Sequence, residues 1–433
     1  MHVLGVDFQK QTCCNACHNH LNMSEPNSTP PSKAGPAGQL SPATTRRLVS
    51  LDALRGFDMF WIAGGEEIIH GLYKGWPGGF RLLDEQMDHT AWAGLTFYDL
   101  IFPLFVFIVG VSTVFSLTRT IEQHGRTAAL KRIFFRSLAL YFFGLLVYGG
   151  ISKGWDNVRW MGVLQRIGIA YFFTGLLFCF LRVRGLIAVC ASLLIGYAIM
   201  SATIPIRDFN LEKTHLSSLG LTPDSPETHK LFLATTNMVR GRFEDGLNLT
   251  QHIDYQYLPG HRWDGAYDPE GLLSTMGAVG TCLLGVFVGL FLRNSPVPDQ
   301  KKVAWLFGAG VLAIAAGWLW GVQFPVIKKI WSSSYVLVAA GYSCIFLAIF
   351  YQLIDIWNWR KWCTPFVWIG MNPITIYLIF HLLEPGSLVK RVVGGPIAAA
   401  CGPWGNLLIA SVTVALMLAL MRFLFQRKLF LRV

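Results

Sequence analysis

The stretch GLTFYDLIFPLFVFIVGVSTVFSL, residues 94–117, decides the class of this chain, because it carries a single charge, that of Asp99. A membrane-spanning helix needs about 20 consecutive, mostly apolar residues. The stretch therefore predicts a transmembrane helix with a carboxylate near its start. The segment just before it, DHTAWA, adds the imidazole of His89 at the lip of this helix.

The composition agrees with a membrane protein. Of 433 residues, 53% are hydrophobic and 14% are charged, whereas a soluble domain averages about 25% charged residues. The net charge is +11, and in membrane proteins such an excess gathers in cytoplasmic loops. No basic run is interleaved with stacking aromatic residues, so nucleic acid is not an expected partner.

Ten segments are long and apolar enough to be candidate spans, although five charged residues interrupt or flank the first. We therefore expect an all-α polytopic membrane protein with about ten transmembrane helices. The segments are 48–68, 94–117, 133–150, 161–181, 185–204, 271–292, 303–322, 333–353, 365–383 and 405–425.

The basic residues of the short loops orient the chain. With ten spans, they fall mostly on one side, which the positive-inside rule makes cytoplasmic, together with both termini. Lys328 and Lys329 are exceptions on the outer side. The loop 205–270 then forms an outer lobe, and its end, AYDPEG, predicts a helix start with Asp268 as the cap.

The N-terminal residues 1–45 are expected to be a disordered tail, because they are rich in Pro, Ser, Gly and Thr and cannot bury a core. The membrane domain then covers residues 46–433. The tail includes CCNACHNH, residues 13–20, which superficially looks like a metal site. No second Cys/His pair follows at a zinc spacing, so no metal is expected.

Ionisable residues inside spans are expensive and therefore candidates for function. Asp52, Arg55 and Asn372 lie at the inner ends of spans. A larger polar set lies towards the outer side: His89, Asp99, Trp155, Asp156, Arg159, Gln165, Arg166, Asp268, Glu270, Tyr335 and His381.

Histidine suits proton transfer near neutral pH, so His89 could act as a general base or as a nucleophile. The alternative is an interfacial histidine with no catalytic role. Asp99 could orient His89, or it could neutralise Arg166, which cannot lose its proton.

Six blocks, in order, resemble the heparan-alpha-glucosaminide N-acetyltransferase family and its bacterial relatives. The resemblance covers the chain from about residue 46 to its end. The blocks are SLDALRGFDMFWI, DHTAWAGLTFYDLIFPLFVFIVGVS, WDNVRWMGVLQRIGIAYF, AYDPEGLLSTM, LWGVQFPVIKKIWSSSYVL and TPFVWIGMNPITIYLIFH.

The resemblance implies a transmembrane enzyme that takes acetyl from cytosolic acetyl-CoA to the amino group of a glucosamine on the far side of the membrane. His89, before TAWAGLT, matches the family's catalytic histidine. The family's asparagine in the preceding loop has no clear counterpart in GGEEIIHGLYKGWPGGF, residues 64–80.

From this resemblance we expect catalysis by His89 with Asp99. Basic groups at the inner ends of the spans would meet the CoA phosphates, Arg55 first, near Asp52 and Asn372, and Arg132 and Arg136 after it. The rest of the outer set would line the substrate path. A bacterial inner membrane is the expected location, with a homodimer as an alternative to a monomer. Two other functions stay open: a secondary transporter of a sugar or small anion, and an O-acetyltransferase acting on an exported polysaccharide.

Overall fold

The computed structural model describes residues 48–152 and 154–431. The predicted tail 1–45 and its Cys/His cluster lie outside these residues. Helices dominate the described chain. In order they are α1 Val49–Phe60, α2 Glu66–Gly75, α3 Pro77–Met87, α4 Ile101–Val147, α5 Val163–Phe180, α6 Val183–Thr203, α7 Lys213–Ser218, α8 Pro226–Ala234, α9 Leu249–Tyr257, α10 Thr275–Asn294, α11 Asp299–Trp320, α12 Ser333–Phe350, α13 Thr364–Gly370, α14 Pro373–Leu383, α15 Pro385–Val393, α16 Pro396–Ala400 and α17 Gly405–Gln426.

Short irregular turns extend several of these helices. A π-helical turn, Trp61–Gly65, joins α1 to α2, and another, Tyr351–Ile356, ends α12. The turns Tyr98–Leu100, Trp155–Asn157 and Gly402–Trp404 are 3₁₀ helices.

Seven helices of the described chain are long and apolar enough to cross a membrane, and a bent pair makes an eighth. The expected all-α membrane architecture is thus supported, but the count of about ten is not confirmed. Two features explain the difference. Helix α1 carries Asp52, Arg55 and Asp58 within its twelve residues, and α4 is counted once although it is very long.

Helix α4 folds back on itself at Gly125. Its 47 residues would extend about 70 Å if straight, more than twice the hydrocarbon core of about 30 Å. Gly125 has φ 79° and ψ 172°, outside the helical region. Arg132 donates to Thr120 Oγ1 at 3.1 Å, although twelve residues of straight helix would separate them by about 18 Å. The two legs correspond to the predicted segments 94–117 and 133–150.

The bent pair is α13 and α14, which meet at 79°. Pro373 is the first residue of α14 and cannot donate a backbone hydrogen bond to the preceding turn. The predicted span 365–383 is therefore a broken helix.

The bundle centre lies where α4 crosses α10. Gly110 and Gly285 allow this close approach, because a Cβ on Gly110 would lie 2.0 Å from the carbonyl oxygen of Cys282. A Cβ on Gly285 would lie 2.1 Å from that of Phe107. Such small residues let membrane helices pack backbone to backbone. Helices α5, α6 and α12 pack around the same α10.

The predicted outer lobe contains the only small sheets of the described chain. Strand β1, Ile206–Arg207, pairs with β2, Met238–Val239, and β3, Phe243–Glu244, pairs with β4, Leu247–Asn248, both antiparallel. Helices α7, α8 and α9 complete the lobe.

The predicted capping role of Asp268 is wrong. Helix α10 begins at Thr275, after two turns of irregular chain. The carboxylate of Asp268 binds the guanidinium of Arg159 instead, at 2.7 Å from both Nε and Nη2. Asp268 Oδ1 also accepts from Glu270 N at 3.0 Å, so this side chain caps only the turn that follows it and not α10.

Candidate active site

His89 lies in the loop between α3 and the Tyr98–Leu100 turn. Two hydrogen bonds close this loop: Thr96 Oγ1 donates to the Asp88 carbonyl at 2.7 Å, and Phe97 N donates to Gln86 Oε1 at 3.0 Å. The loop therefore returns the chain to the bundle beside His89. The side chain of His89 remains 52% exposed, so its ring can be reached from outside the protein.

Asp99 is the buried partner of His89. Its Oδ1 lies 2.9 Å from His89 Nδ1, and the side chain of Asp99 is 1% exposed. Its Oδ2 accepts from the backbone N and Oγ1 of Thr90, at 3.2 and 2.7 Å. Thr96 N also donates to Oδ2, at 3.2 Å. Thr96 Oγ1 lies 3.1 Å from Oδ2 but shares its one hydrogen with the closer Asp88 carbonyl. A carboxylate held in this way orients the imidazole so that Nδ1–H donates to it, which leaves Nε2 as the reactive nitrogen.

Tyr335 holds the same turn from the bundle side. Its hydroxyl donates to the backbone carbonyl of Asp99 at 2.6 Å, and the residue is fully buried. The structure thus brings together three of the residues singled out in the sequence, His89, Asp99 and Tyr335, from three separate elements.

Lys328 joins this group, although sequence reasoning did not select it as a site residue. Its Nζ lies 3.1 Å from Asp99 Oδ1 and 2.9 Å from His89 Nδ1. A backbone bridge explains the approach: Ala93 pairs with Ile327, and Gly94 N donates to the Val326 carbonyl at 2.9 Å. The available signal was the position of Lys328 on the predicted outer side, where the positive-inside rule does not account for a lysine.

Burial lowers the pKa of Lys328, and the neighbouring carboxylate of Asp99 opposes that effect. Because Asp99 carries the opposite charge, the pair brings no net charge into the site.

A second buried cluster surrounds Arg159. This guanidinium binds Asp268 through two nitrogens and Glu270 Oε2 at 2.7 Å. It also lies over the rings of Tyr148 and Trp263, at 4.3 and 4.8 Å from their centroids. Burial opposes the charge of Arg159, but the hydrogen bond to Asp268 and the charges of both acids raise its pKa overall.

Arg166 does not pair with Asp99. Its Nη2 donates to the carbonyl of Pro269 at 2.7 Å and to Ser274 Oγ, while its guanidinium lies 4.8 Å from the ring of Trp331. The alternative left open by the sequence is therefore decided by geometry: Asp99 contacts His89 and Lys328, and Arg166 anchors the segment before α10.

Of the other residues predicted on the outer side, two make contacts inside the protein and two are exposed. Gln165 is buried and donates to the Arg159 carbonyl at 3.2 Å. His381 stacks on Tyr377 with ring centroids 4.1 Å apart. Trp155 and Asp156 are exposed and join neither cluster among the contacts described.

The inner residues form a separate region. Arg55 binds Asp52 at 3.4 Å, Ser112 Oγ at 2.7 Å and the Gly370 carbonyl at 3.3 Å. Asn372 is buried and holds the C-terminal segment, since Nδ2 donates to the Leu429 carbonyl and Oδ1 accepts from Leu431 N. A role for Asn372 in CoA binding stays a prediction.

Among residues 48–152 and 154–431, no group of three or more His, Cys, Asp or Glu side chains could hold a metal ion. What the outer site offers is an exposed imidazole with a fixed tautomer, beside a buried carboxylate and an ammonium group. This set of groups can transfer protons or accept an acyl group.

Asp254 of α9 provides a test of pH-dependent stability. Burial raises its pKa to about 7 from the ordinary value of 3.8; Oδ1 accepts from Leu272 N at 2.9 Å. Because the pKa of Asp254 is higher in the folded state, its contribution to the free energy of unfolding is fully present below about pH 4. The contribution is lost as the pH rises to about 7. We expect Asp254→Asn to gain about 2 kcal/mol relative to wild type between pH 5 and pH 8.

Thermal unfolding in detergent at pH 5, 6, 7 and 8 measures this effect. Asp224→Asn is the matched control, because the side chain of Asp224 is 71% exposed. Parallel pH profiles for wild type and Asp254→Asn would contradict the expectation.

Comparisons with known proteins agree with the geometry. Residues 47–233 match the family model described as heparan-alpha-glucosaminide N-acetyltransferase, catalytic. The chain is 28% identical over 393 residues to the human heparan-alpha-glucosaminide N-acetyltransferase, covering 82% of this chain and 57% of the relative. The mouse protein of the same name is also 28% identical, over 390 residues with the same coverage. The chain thus spans little more than half the length of these relatives. The chain is therefore similar to heparan-alpha-glucosaminide N-acetyltransferases, over residues 47–233 by the family model and over 82% of its length at 28% identity.

Proposed function

We propose that the protein is a transmembrane acetyltransferase that moves acetyl from cytosolic acetyl-CoA to the amino group of a glucosamine-type sugar on the outer side. The observation that carries the proposal is the pairing of His89 Nδ1 with Asp99 at 2.9 Å, on a ring that remains half exposed. The similarity to heparan-alpha-glucosaminide N-acetyltransferases is the reason for proposing acetyl-CoA as the donor and an amino sugar as the acceptor.

The chemistry requires one base at the acceptor. His89 Nε2 takes a proton from the sugar amine as its nitrogen attacks the thioester carbon. The carbon–sulfur bond then breaks, and the departing CoA thiolate takes up the proton. Asp99 holds the ring and favours the imidazolium that forms in between. In a two-step variant, Nε2 attacks the thioester carbon and CoA leaves as a thiolate. The amine then attacks the acetyl carbon, the bond to Nε2 breaks, and the proton lost by the amine neutralises the thiolate.

The acetyl group must pass through the bundle, because we place the CoA phosphates at Arg55 and the reaction at His89, at opposite ends of the proposed path. We propose ten crossings with both termini in the cytoplasm: the eight apolar spans, with α4 divided at Gly125 and with α1 added.

The test is acetyl transfer by purified protein in detergent. Labelled acetyl-CoA is supplied with glucosamine, with N-acetylglucosamine or with glucose. Label on glucosamine alone supports N-acetylation. Label on all three sugars would show O-acetylation. No label on any sugar, with sugar uptake by the protein in liposomes, would favour the transporter.

Binding of the donor at the inner end gives a second prediction. We propose that Arg55, 19% exposed beside Asp52, meets the CoA phosphates. Arg55→Glu then reverses the charge and should weaken acetyl-CoA binding about 10-fold or more.

Isothermal titration at low and moderate salt measures the affinity. Arg293→Glu serves as the control, because Arg293 pairs with exposed Glu122 at 2.8 Å at the end of α10. Unchanged affinity in Arg55→Glu would remove Arg55 from the donor site.

A further inference from the structure

We propose that Lys328 is a catalytic residue of this site, whose ammonium group stabilises the oxyanion formed on the acetyl thioester. The inference rests on the acetyl transfer proposed above and adds a residue to it. It stands on the geometry of Lys328 relative to both His89 and Asp99.

The position of the ammonium over the imidazole is the first observation. Lys328 Nζ lies 2.9 Å from Nδ1 and 3.2 Å from Nε2 of His89. The lone pairs of the two nitrogens point apart in the ring plane, so one atom cannot lie on both axes. An in-plane position at these distances would overlap the ring carbon between them. The ammonium therefore lies over the ring face and leaves the in-plane lone pair of Nε2 free to react.

The second observation is that Asp99 accepts only one of the three N–H donors of Lys328. An ammonium has three N–H donors, and Asp99 Oδ1 accepts one of them at 3.1 Å. The carboxylate thus fixes the direction of Nζ, as it fixes that of the imidazole. Glu66 and Glu270 also act on Lys328 electrostatically, from more distant positions. The remaining N–H groups lie next to Nε2, where the acetyl carbon must be attacked.

The third observation is that Lys328 is held by backbone, not by a flexible loop tip. Its segment pairs with residues 93–94 through the Ala93–Ile327 bridge, and Trp331 N donates to the Lys328 carbonyl at 2.8 Å. A donor that is already oriented before the reaction stabilises developing charge without the cost of reorganisation.

The amine nitrogen attacks the thioester carbon, its proton goes to His89 Nε2, and the carbonyl electrons move onto oxygen, where Lys328 donates a hydrogen bond. When the oxyanion collapses, the carbon–sulfur bond breaks and CoA leaves as a thiolate that takes the proton from His89. Lys328 stays protonated throughout and is neither base nor nucleophile.

The competing explanation is that Lys328 only neutralises buried Asp99. A double-mutant cycle separates the two, using Lys328→Met, Asp99→Asn and the combined variant. If Lys328 were only a counter-ion, it would have nothing left to neutralise in the Asp99→Asn background. The combined variant would then match Asp99→Asn in kcat. If Lys328 donates to the oxyanion, its loss still lowers kcat in the Asp99→Asn background.

We expect Lys328→Met to lower kcat at least about 100-fold, with the Kd of acetyl-CoA changed less than about 3-fold. The combined variant should lose at least about 10-fold in kcat beyond Asp99→Asn. It carries no unpaired charge, so it keeps the test valid if Lys328→Met does not fold. Lys329→Met is the matched control, because the neighbouring Lys329 pairs with Asp264 at 3.5 Å instead.

A kcat for Lys328→Met within about 3-fold of wild type, or a combined variant equal to Asp99→Asn, overturns the role of Lys328 while acetyl transfer by wild type stands. Absence of transfer by both wild type and Lys329→Met would instead refute the proposed function, and the inference with it.

Discussion

His89→Ala is expected to lower kcat for acetyl transfer by about 10² to 10⁴-fold, the range that a positioned acid–base group contributes. The Kd of acetyl-CoA should stay within about 3-fold of wild type, because an exposed ring adds little to binding of the ground state. The reason is geometric. Nδ1 is committed to Asp99 at 2.9 Å, so Nε2 is the nitrogen available for the amine or the acetyl group.

The measurement is turnover of labelled acetyl-CoA with glucosamine under saturating substrate, with donor affinity determined separately. The chain offers a close control in His70→Ala. His70 also pairs with an aspartate, Asp84, at 2.7 Å, but it lies in α2 and outside the Asp99 cluster. It should retain activity within about 2-fold. Equal activity of His89→Ala and wild type would remove His89 from the reaction.

A trapping experiment separates the two mechanisms. Enzyme incubated with labelled acetyl-CoA and no acceptor retains label on His89 only if Nε2 accepts acetyl covalently. Retained label that disappears in His89→Ala identifies the two-step route. Label-free enzyme with normal turnover identifies direct transfer from donor to amine.

The sequence predicted the membrane class because long apolar segments are determined locally. It also predicted His89 and Asp99 as a pair of interest, since ten residues separate them across one loop. It could not decide between His89 and Arg166 as the partner of Asp99, because the answer depends on where α5 lies relative to the start of α4. The count of spans differed because the two predicted segments 94–117 and 133–150 form one helix bent at Gly125, and because α1 is short and charged.

Lys328 is the site residue that the local sequence could least predict. It is 239 residues from His89 along the chain, and only the backbone bridge between Ala93 and Ile327 brings it to the site. No local pattern encodes that bridge. Similarly, the pairing of Arg159 with Asp268 requires the outer lobe to fold onto the bundle. The local sequence of Asp268, followed by proline and glutamate, indicated a helix cap instead.

Arg159→Met is expected to destabilise the protein by about 3–5 kcal/mol, the cost of removing one partner from a buried ion pair. The side chains of Arg159 and Asp268 are 4% and 0% exposed. Without the guanidinium, two carboxylates remain buried close together, and the rings of Tyr148 and Trp263 lose the cation between them. The segment before α10 would then be held to the start of α5 by Arg166 alone among the contacts described above.

The effect should depend on pH in a definite direction. Burial and the charge of Asp268 already raise the pKa of Glu270 to about 7, and loss of Arg159 removes a charge that lowers this pKa. Protonation removes the repulsion, so the penalty in Arg159→Met should be smaller at pH 5 than at pH 8.

Thermal unfolding in detergent across this pH range measures the penalty, with Arg262→Met as the control. Arg262 pairs with Asp224, 71% exposed, at 2.8 Å, and a pair open to solvent on one side contributes about 1 kcal/mol or less. The destabilisation in Arg159→Lys should lie between those of Arg159→Met and Arg262→Met, because an ammonium keeps the charge but cannot bind Asp268 through two nitrogens. If Arg159→Met unfolded no more easily than Arg262→Met, the cluster would not be what joins the outer lobe to the bundle.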